Sequence, residues 1–251
     1  MNSKVKFIHP RARGLLKYHR IKNLIEAVRK TPLEPIIRFG GRTYRNFIFR
    51  RTMKKVMSDP ENFLNDYDTL AELSYGWANE GYSASVEYLQ DCVQYTAQSE
   101  LPILECGSGI STIVVGLIAK KYGNIVWTFE HSKPWYKRVK KTLMKYNIDS
   151  VKLNHGPMVE YGEYTWYKAP LDAMPSKFSL VLCDGPADVK TRAKQNIFPL
   201  MKDRFDAGSI VPYDDIPKII PEDDIPGWID RLNMSYEIRG TKNPYFYLKM
   251  P

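Results

Sequence analysis

The feature that most constrains the fold is a regular alternation of short apolar segments and helical patterns that begins near residue 101. The segments that read as strands are PILEC, NIVWTFE, VKLNHG, FSLVLCDG and GSIVPYDD. Helical patterns such as STIVVGLIAKKY and KPWYKRVKKTLMKY separate several of them. Alternation of this kind predicts an α/β fold with a parallel sheet and helices on both of its faces.

The end of the chain departs from this alternation. MSYEIRG and NPYFYLKM are strand patterns joined by the turn GTKN, which predicts a terminal hairpin. We therefore expect a Rossmann-like, seven-stranded, mostly parallel sheet with a C-terminal antiparallel hairpin. This differs from the plain dinucleotide-binding arrangement.

The positive charge of the chain is concentrated near its N-terminus. Residues 1–60 contain 16 Lys and Arg and three acids, although the whole chain has a net charge of only +9. LLKYHRIKNLIEAVR and RTYRNFIFRRTMKKVM read as helices, and the Pro and Gly residues of KTPLEPIIRFGG predict a break between them. We expect a basic helical N-terminal segment over 1–60 and a second domain over 61–251.

Such a charge distribution indicates either an anionic partner or a solvated helical face. The candidate partners are a membrane surface, nucleic acid and an acidic substrate. No run of about 18 apolar residues occurs, so no transmembrane helix is expected. The three cysteines have no CxxC spacing and favour a reducing cytoplasm, with a peripheral membrane position possible through the basic segment.

The stretch ILECGSGIST breaks a predicted strand on Gly107, Ser108 and Gly109 before a helical pattern starts. Glycines at such a turn let a ligand approach the backbone closely. Glu130 follows at the end of the second strand, where a carboxylate can accept both hydroxyls of a ribose. The pattern therefore predicts a ligand that contains a nucleoside.

Two residues distinguish between the candidate nucleoside ligands. A dinucleotide motif GxGxxG would need glycine where Thr112 stands. The acid Glu105 would repel a pyrophosphate but would suit the cationic S-adenosylmethionine. The alternative is a structural glycine turn with a capping carboxylate.

These motifs resemble those of the class I S-adenosylmethionine-dependent methyltransferases. LECGSG is similar to their first motif, with Ser111 where many members have a third glycine, TFE to their second-strand acid, and LVLCDGP to their fourth strand. A longer string is similar to a little-characterised bacterial group of these enzymes. The resemblance covers about residues 75–251 and implies the fold and the cofactor, but it says little about the substrate.

Acids at neighbouring strand ends resemble the magnesium site of catechol-type O-methyltransferases. Asp184 follows one strand, and Asp214 and Asp215 follow another, where those enzymes have an Asp-Asn pair. Mg²⁺ prefers such oxygen ligands. The acids could instead cap or brace loops.

Each of the further candidates has a structural alternative. His155 is a possible general base or a wall residue, and Trp135 could cover an adenine or pack in the core. The aromatic loop YGWANEGYSAS could be a lid or a connector, and Lys190 and Arg192 could hold an anionic substrate. The predicted catalytic residues are Asp184 and His155. The predicted metal ligands are Asp184, Asp214 and Asp215. The predicted cofactor-binding residues are Glu105, Gly107, Ser108, Gly109, Glu130, His131, Trp135 and Ser83.

The sequence is thus interpreted as an S-adenosylmethionine-dependent methyltransferase, with Mg²⁺ as a possible second cofactor, that O-methylates a small molecule or sugar-containing metabolite. One rival is a nucleic-acid methyltransferase that uses the basic segment as a clamp. It is less favoured, because no Asn-Pro-Pro-aromatic motif or known RNA-binding module occurs. The other rival is a non-catalytic nucleoside-binding module.

Overall fold

The computed structural model describes residues 34–79, 84–186, 193–214, 231–241 and 243–251. The helix predicted over residues 15–29 lies outside these ranges. Within them, α-helices and β-strands alternate as the sequence predicts between Ile103 and His155.

A seven-stranded sheet forms the centre of the molecule, with the order β3-β2-β1-β6-β7-β9-β8. Within this sheet β9 runs antiparallel to both of its neighbours, and the other six strands share one direction. The predicted mostly parallel sheet with a terminal antiparallel hairpin is therefore confirmed. Its strands are β1 (Ile103–Cys106), β2 (Val126–Glu130), β3 (Val151–His155), β6 (Phe178–Cys183), β7 (Phe205–Tyr213), β8 (Ser235–Arg239) and β9 (Tyr245–Lys249).

Helices cover both faces of this sheet and complete two hydrophobic cores. On one face, α1 to α5 enclose a core that includes Met53, Leu70, Tyr88 and Ile113. On the other face, α6 packs with residues that include Met174 and Phe246. The helices are α1 (Glu34–Ser58), α2 (Tyr67–Trp77), α3 (Val86–Gln98), α4 (Ile110–Lys121), α5 (Lys133–Lys145) and α6 (Ile197–Met201).

The predicted break between residues 31 and 41 is wrong in its extent, because α1 runs unbroken from Glu34 through Gly40 to Ser58. Pro35 lies in the first turn, where a helix needs no amide donor from it. Glycine costs a helix about 1 kcal/mol. The later turns outweigh that cost, since they bury Phe49, Met53 and Val56 in the core. The domain boundary at residue 60 stays a prediction.

A second, two-stranded sheet was not predicted. It consists of β4 (Met158–Tyr161) and β5 (Tyr164–Tyr167), which pair antiparallel between β3 and β6. Trp166 and Tyr167 of β5 are buried in the second core. The hairpin therefore adds two large aromatic side chains beside the sheet edge at which β1, β2 and β6 end.

The described helices agree with one further expectation from the sequence. None of the helices in the part of the chain that the structure describes combines the length and the apolar character needed to cross a bilayer. Cys92, Cys106 and Cys183 are buried free thiols.

Candidate active site

The carboxyl ends of β1, β2 and β6 meet at one edge of the sheet. Cys106 at the end of β1 is in register with Phe129 of β2 and with Cys183 of β6. The strand order reverses here, because the chain passes from β1 towards β2 and β3 on one side, and β6 follows on the other. A switch point of this kind places a ligand crevice beyond the strand ends.

The glycine turn after β1 is locked against the loop after β6. Gly107 has φ of 87°, which favours glycine, and a Cβ added there would lie 2.8 Å from the backbone nitrogen of Gly185. Gly109 differs, because its φ of −176° suits any residue and an added Cβ would meet only Ser111 Oγ at 3.9 Å. Open space beside Gly109 is consistent with a ligand that passes close to the turn.

Thr112 explains how the turn holds without the third glycine of a dinucleotide motif. Its Oγ1 accepts a hydrogen bond from the Gly109 N–H at 2.9 Å. The side chain is fully buried in the first turn of α4. A threonine therefore fixes the turn through a side-chain contact that glycine cannot make.

Glu130 at the end of β2 is tied directly to the glycine turn. It is 4% exposed. Its Oε2 accepts hydrogen bonds from the Ser108 N–H at 3.1 Å and from the Ser108 hydroxyl at 2.8 Å. Its Oε1 accepts from the Ser132 N–H at 2.7 Å, and His131 Nδ1 lies 3.5 Å from the same oxygen. The structure thus brings four predicted cofactor residues together: Gly107, Ser108, Glu130 and His131.

Glu105 is buried beneath this turn. Thr128 donates a hydrogen bond to its Oε2 at 2.8 Å, whereas Oε1 is buried with no hydrogen-bond partner within the described ranges. Burial raises the pKa of Glu105 to about 7, and nearby hydroxyls, those of Ser111, Thr128 and Thr112, limit the rise. A cation in the adjacent crevice would favour the charged carboxylate, as the sequence argument requires.

Trp135 is half-buried at the start of α5 and contacts the same turn from outside. Its indole N–H donates to the carbonyl of Ser108. The Arg138 guanidinium carbon lies 4.7 Å from the ring centre of Trp135 and 4.3 Å from that of Trp77. The guanidinium also donates a hydrogen bond to the Trp77 carbonyl. Trp77 and Trp135 also contact each other edge to face. This packing supports the structural alternative for Trp135, and a role at an adenine stays a prediction.

His155 lies at the end of β3, exposed to solvent. Its Nε2 is 3.2 Å from the carbonyl of His131, and its ring is 5.5 Å from that of Tyr136. These contacts fit the wall-residue alternative, and its role as a general base stays a prediction. Ser83, Lys190 and Arg192 lie outside the described residues.

Asp184 and Asp214 follow adjacent parallel strands. Asp184 is half-buried, and its backbone N–H donates to the carbonyl of Cys106 at 3.1 Å. Asp214 is buried, and its backbone N–H donates to the carbonyl of Cys183 at 2.9 Å. No group of three His, Cys, Asp or Glu suited to a metal occurs among the described residues. Asp215 lies outside these residues, so the predicted metal set stays a prediction.

Sequence reasoning missed three residues at this edge. Lys194 is 2% exposed, and its Nζ donates to Asp214 O at 3.3 Å. Tyr167 is fully buried, burial holds its pKa well above the usual value, and its hydroxyl has no hydrogen-bond partner within the described ranges. The third is Arg138, whose spacing of three from Trp135 on a helix could have indicated their contact.

Comparisons with known proteins support the fold. No protein-family model and no curated protein sequence matches the chain. An SAH-bound methyltransferase from Podospora anserina, PaMTH1, matches with 13% identity over 98% of this chain and 100% of that chain, with a TM-score of 0.52. A Staphylococcus aureus structure provisionally named a caffeoyl-CoA O-methyltransferase matches with 16% identity over 78% of this chain and 98% of that chain, with a TM-score of 0.50. The chain has the Rossmann-like fold of class I methyltransferases.

Proposed function

We propose that this protein is an S-adenosylmethionine-dependent methyltransferase that acts on a hydroxyl group of a small molecule or a sugar-containing metabolite. The observation that carries the proposal is the position of Glu130, buried at the end of β2 and hydrogen-bonded to the glycine turn after β1. Support comes from the strand ends, since ligands of open α/β sheets bind beyond the carboxyl ends of the strands, where this contact lies.

The hydrogen bonds of Glu130 suggest how a ribose would be held. Ser108 Oγ is the side-chain donor to Oε2, and a serine hydroxyl can rotate about a single bond. A ribose hydroxyl would take the place of the Ser108 hydroxyl, while the Ser108 and Ser132 N–H groups keep the carboxylate in position. The site is therefore preorganised by backbone donors and needs only one side-chain rotation.

Glu105 supplies the second argument, because it favours a cationic ligand over an anionic one. A buried carboxylate oxygen without a donor is costly, and that cost falls when a positive charge is nearby. S-adenosylmethionine carries a sulfonium and an ammonium group, whereas a pyrophosphate would bring negative charge to the same place. The residues at this edge therefore fit S-adenosylmethionine better than NAD.

When bound, S-adenosylmethionine supplies an electrophilic methyl group on its sulfonium sulfur. The remaining work is to align the acceptor oxygen with that methyl group, exclude water and accept the hydroxyl proton. We assign the proton to the carboxylate of Asp184, which follows β6 next to the glycine turn. His155 remains the second predicted base.

Mg²⁺ at Asp184, Asp214 and Asp215 is a separate proposal for activating the same hydroxyl. Lys194 is an argument against it, because its buried ammonium group already lies at the Asp214 carbonyl. A lysine cation beside the proposed metal ligands would repel a divalent ion, and burial strengthens that repulsion. We therefore favour Asp184 as a proton acceptor over a metal-assisted reaction.

Calorimetry with the full-length chain tests the cofactor assignment. S-adenosylmethionine and S-adenosylhomocysteine should bind, and NAD should bind much more weakly. A turnover assay with hydroxyl-containing acceptors, read as release of S-adenosylhomocysteine, then tests the activity. A folded protein that binds neither adenosyl ligand would refute the proposal, and binding without turnover on any acceptor class would favour a non-catalytic nucleoside-binding module.

A further inference from the structure

The solvent-facing side of α1 combines exposed apolar and basic side chains in one stripe. Phe39 is 74% exposed, Phe47 59% and Met57 43%. Arg50 and Lys54 lie between them and are exposed. Positions 39, 43, 47, 50, 54 and 57 follow one another at spacings of three and four, so they share one face of the helix.

This face is distinct from the side of α1 that holds the fold together. Phe49, Met53 and Val56 are buried in the core, and none of them belongs to the exposed stripe. Other cations on α1 have partners in the body of the protein: Arg51 pairs with Glu72 at 2.8 Å and Lys55 with Asp66 at 2.9 Å. Arg50 and Lys54 form no ion pair with any residue that the structure describes.

The charge of the stripe indicates what can cover it. No Asp or Glu occurs between residues 35 and 58. A second copy packed through the same face would place cations against cations. Residues 1–33 carry nine Lys and Arg and one acid, so they have the same sign of charge. Like charges at close range are unfavourable, and the partner that complements this stripe is therefore anionic.

The apolar side chains distinguish between the two kinds of anionic surface. The stripe from Phe39 to Met57 spans about 27 Å, and its two phenylalanines are about 12 Å apart along the helix. Bases can stack on aromatic rings, but a methionine offers no aromatic face. A lipid interface accepts all three apolar side chains at once, while the cations stay at the headgroups.

We propose that the outer face of α1 is a binding surface for anionic membranes, with Phe39, Phe47 and Met57 in the interfacial region and Arg50 and Lys54 at the lipid headgroups. This proposal does not depend on the methyltransferase assignment, because membrane binding is measured without cofactor or acceptor. It concerns a helix lying on the surface and involves no membrane-spanning segment.

The test is co-sedimentation of the full-length protein with vesicles of phosphatidylcholine, alone or mixed with phosphatidylglycerol. We expect binding to the mixed vesicles, release at high salt and little binding to phosphatidylcholine alone. Phe39→Ser combined with Phe47→Ser should weaken binding by about tenfold or more, because two apolar side chains leave the interface. Both side chains are exposed, so the variant should keep the unfolding temperature of the parent protein.

Helix α5 provides matched controls. Met144 is 73% exposed, close to the value for Phe39, so Met144→Ser should leave binding unchanged where Phe39→Ser weakens it. Lys137 and Lys141 are exposed on α5. Arg50→Gln with Lys54→Gln should weaken binding more than Lys137→Gln with Lys141→Gln, although each pair removes the same charge.

Four results would overturn the proposal. The intact protein could fail to bind anionic vesicles, or the α5 variants could weaken binding as much as the α1 variants. The protein could bind single-stranded RNA through this face and ignore vesicles. The Phe39→Ser and Phe47→Ser changes could instead dissociate a dimer, which would identify the face as a contact between copies.

Discussion

At the scale of single residues, Glu130 is the side chain on which the proposed cofactor site most depends. Glu130→Ala removes charged acceptors worth roughly 1.5–3 kcal/mol per hydrogen bond, so binding of S-adenosylhomocysteine should weaken by about tenfold or more. Glu160→Ala on the exposed side of β4 is the control. Calorimetry measures both, and unchanged affinity in a folded Glu130→Ala protein would contradict the ribose assignment.

Glu105 predicts a pH dependence that distinguishes the two adenosyl ligands. Its pKa of about 7 means that most of the group is neutral at pH 6 and charged at pH 8. S-adenosylmethionine, which carries the sulfonium charge, should therefore bind about tenfold more tightly at pH 8 than at pH 6. The affinity for S-adenosylhomocysteine should change less between these pH values. Glu105→Gln should make the pH dependence of binding the same for the two ligands.

The same residue affects stability with the opposite trend in pH. A raised pKa means that the folded chain holds the proton more tightly than the unfolded chain. The contribution of Glu105 to the free energy of unfolding is thus complete below its ordinary pKa of 4.5 and is lost as the pH rises through about 7. Glu105→Gln should gain stability relative to the parent protein between pH 5 and pH 8 in denaturant titrations. A constant difference across that range would refute the shift.

Asp184 is the residue at which the two proposals for proton removal diverge. If its carboxylate accepts the proton directly, turnover should persist in a chelator, and Asp184→Asn should lower kcat by 10²-fold or more, the order of a lost general base. Asp172→Asn, on an exposed turn, is the control. Turnover that a chelator abolishes and Mg²⁺ restores would instead support the metal set.

At the scale of elements, the glycine turn offers a matched pair of substitutions. Gly107→Ala places a methyl group against the backbone of Gly185 at positive φ, and should cost about 2 kcal/mol or more of stability. Gly109→Ala meets open space and should keep the parent stability, but should weaken binding of S-adenosylhomocysteine. Denaturant titration and calorimetry separate these effects, and equal stability losses would contradict the described turn.

The elements show which parts of the fold the sequence predicts and why. Strands β1, β2 and β6 are mostly apolar and end at a glycine or an acid, so their pattern is strong. The β4–β5 hairpin is short and mixes exposed and buried positions, which gives no clear period. The start of helix α1 was predicted too late because Gly40 and Gly41 lower the local helix propensity. Burial of Met53 and Val56 stabilises the longer helix in spite of these glycines.

The part of the candidate site that could be predicted is the part that lies at the strand ends. Glu105, Gly107, Ser108 and Glu130 come together because parallel strands end at one edge. Contacts made by side chains that lie outside the strand ends were not predictable. Arg138 reaches Trp77, 61 residues away, and Lys194 reaches Asp214, 20 residues away. No local pattern encodes such pairs, since tertiary packing alone brings them within reach.

At the scale of the whole molecule, α1 belongs to the core and predicts a single unfolding transition. Met53 is fully buried, and Met53→Ala should destabilise the protein by about 2–5 kcal/mol. Met57→Ala on the exposed side of the same helix should change stability by about 0.5 kcal/mol or less. Calorimetric unfolding should show one transition that shifts as a unit. Two transitions, with Met53→Ala moving only one, would support an independent N-terminal segment.

The contact between the glycine turn and the loop after β6 also restricts how related sequences can diverge. A Cβ at position 107 would strike the backbone of Gly185, and a Cβ at position 185 would lie 2.7 Å from the Cα of Gly107. Neither glycine can be replaced unless the opposite loop withdraws, so the two positions should change together or not at all. A homologue that keeps one glycine and loses the other must have respaced the two loops. Its glycine turn and its Asp184 loop would then no longer touch, which makes this pair of positions a marker for relatives that have lost the arrangement.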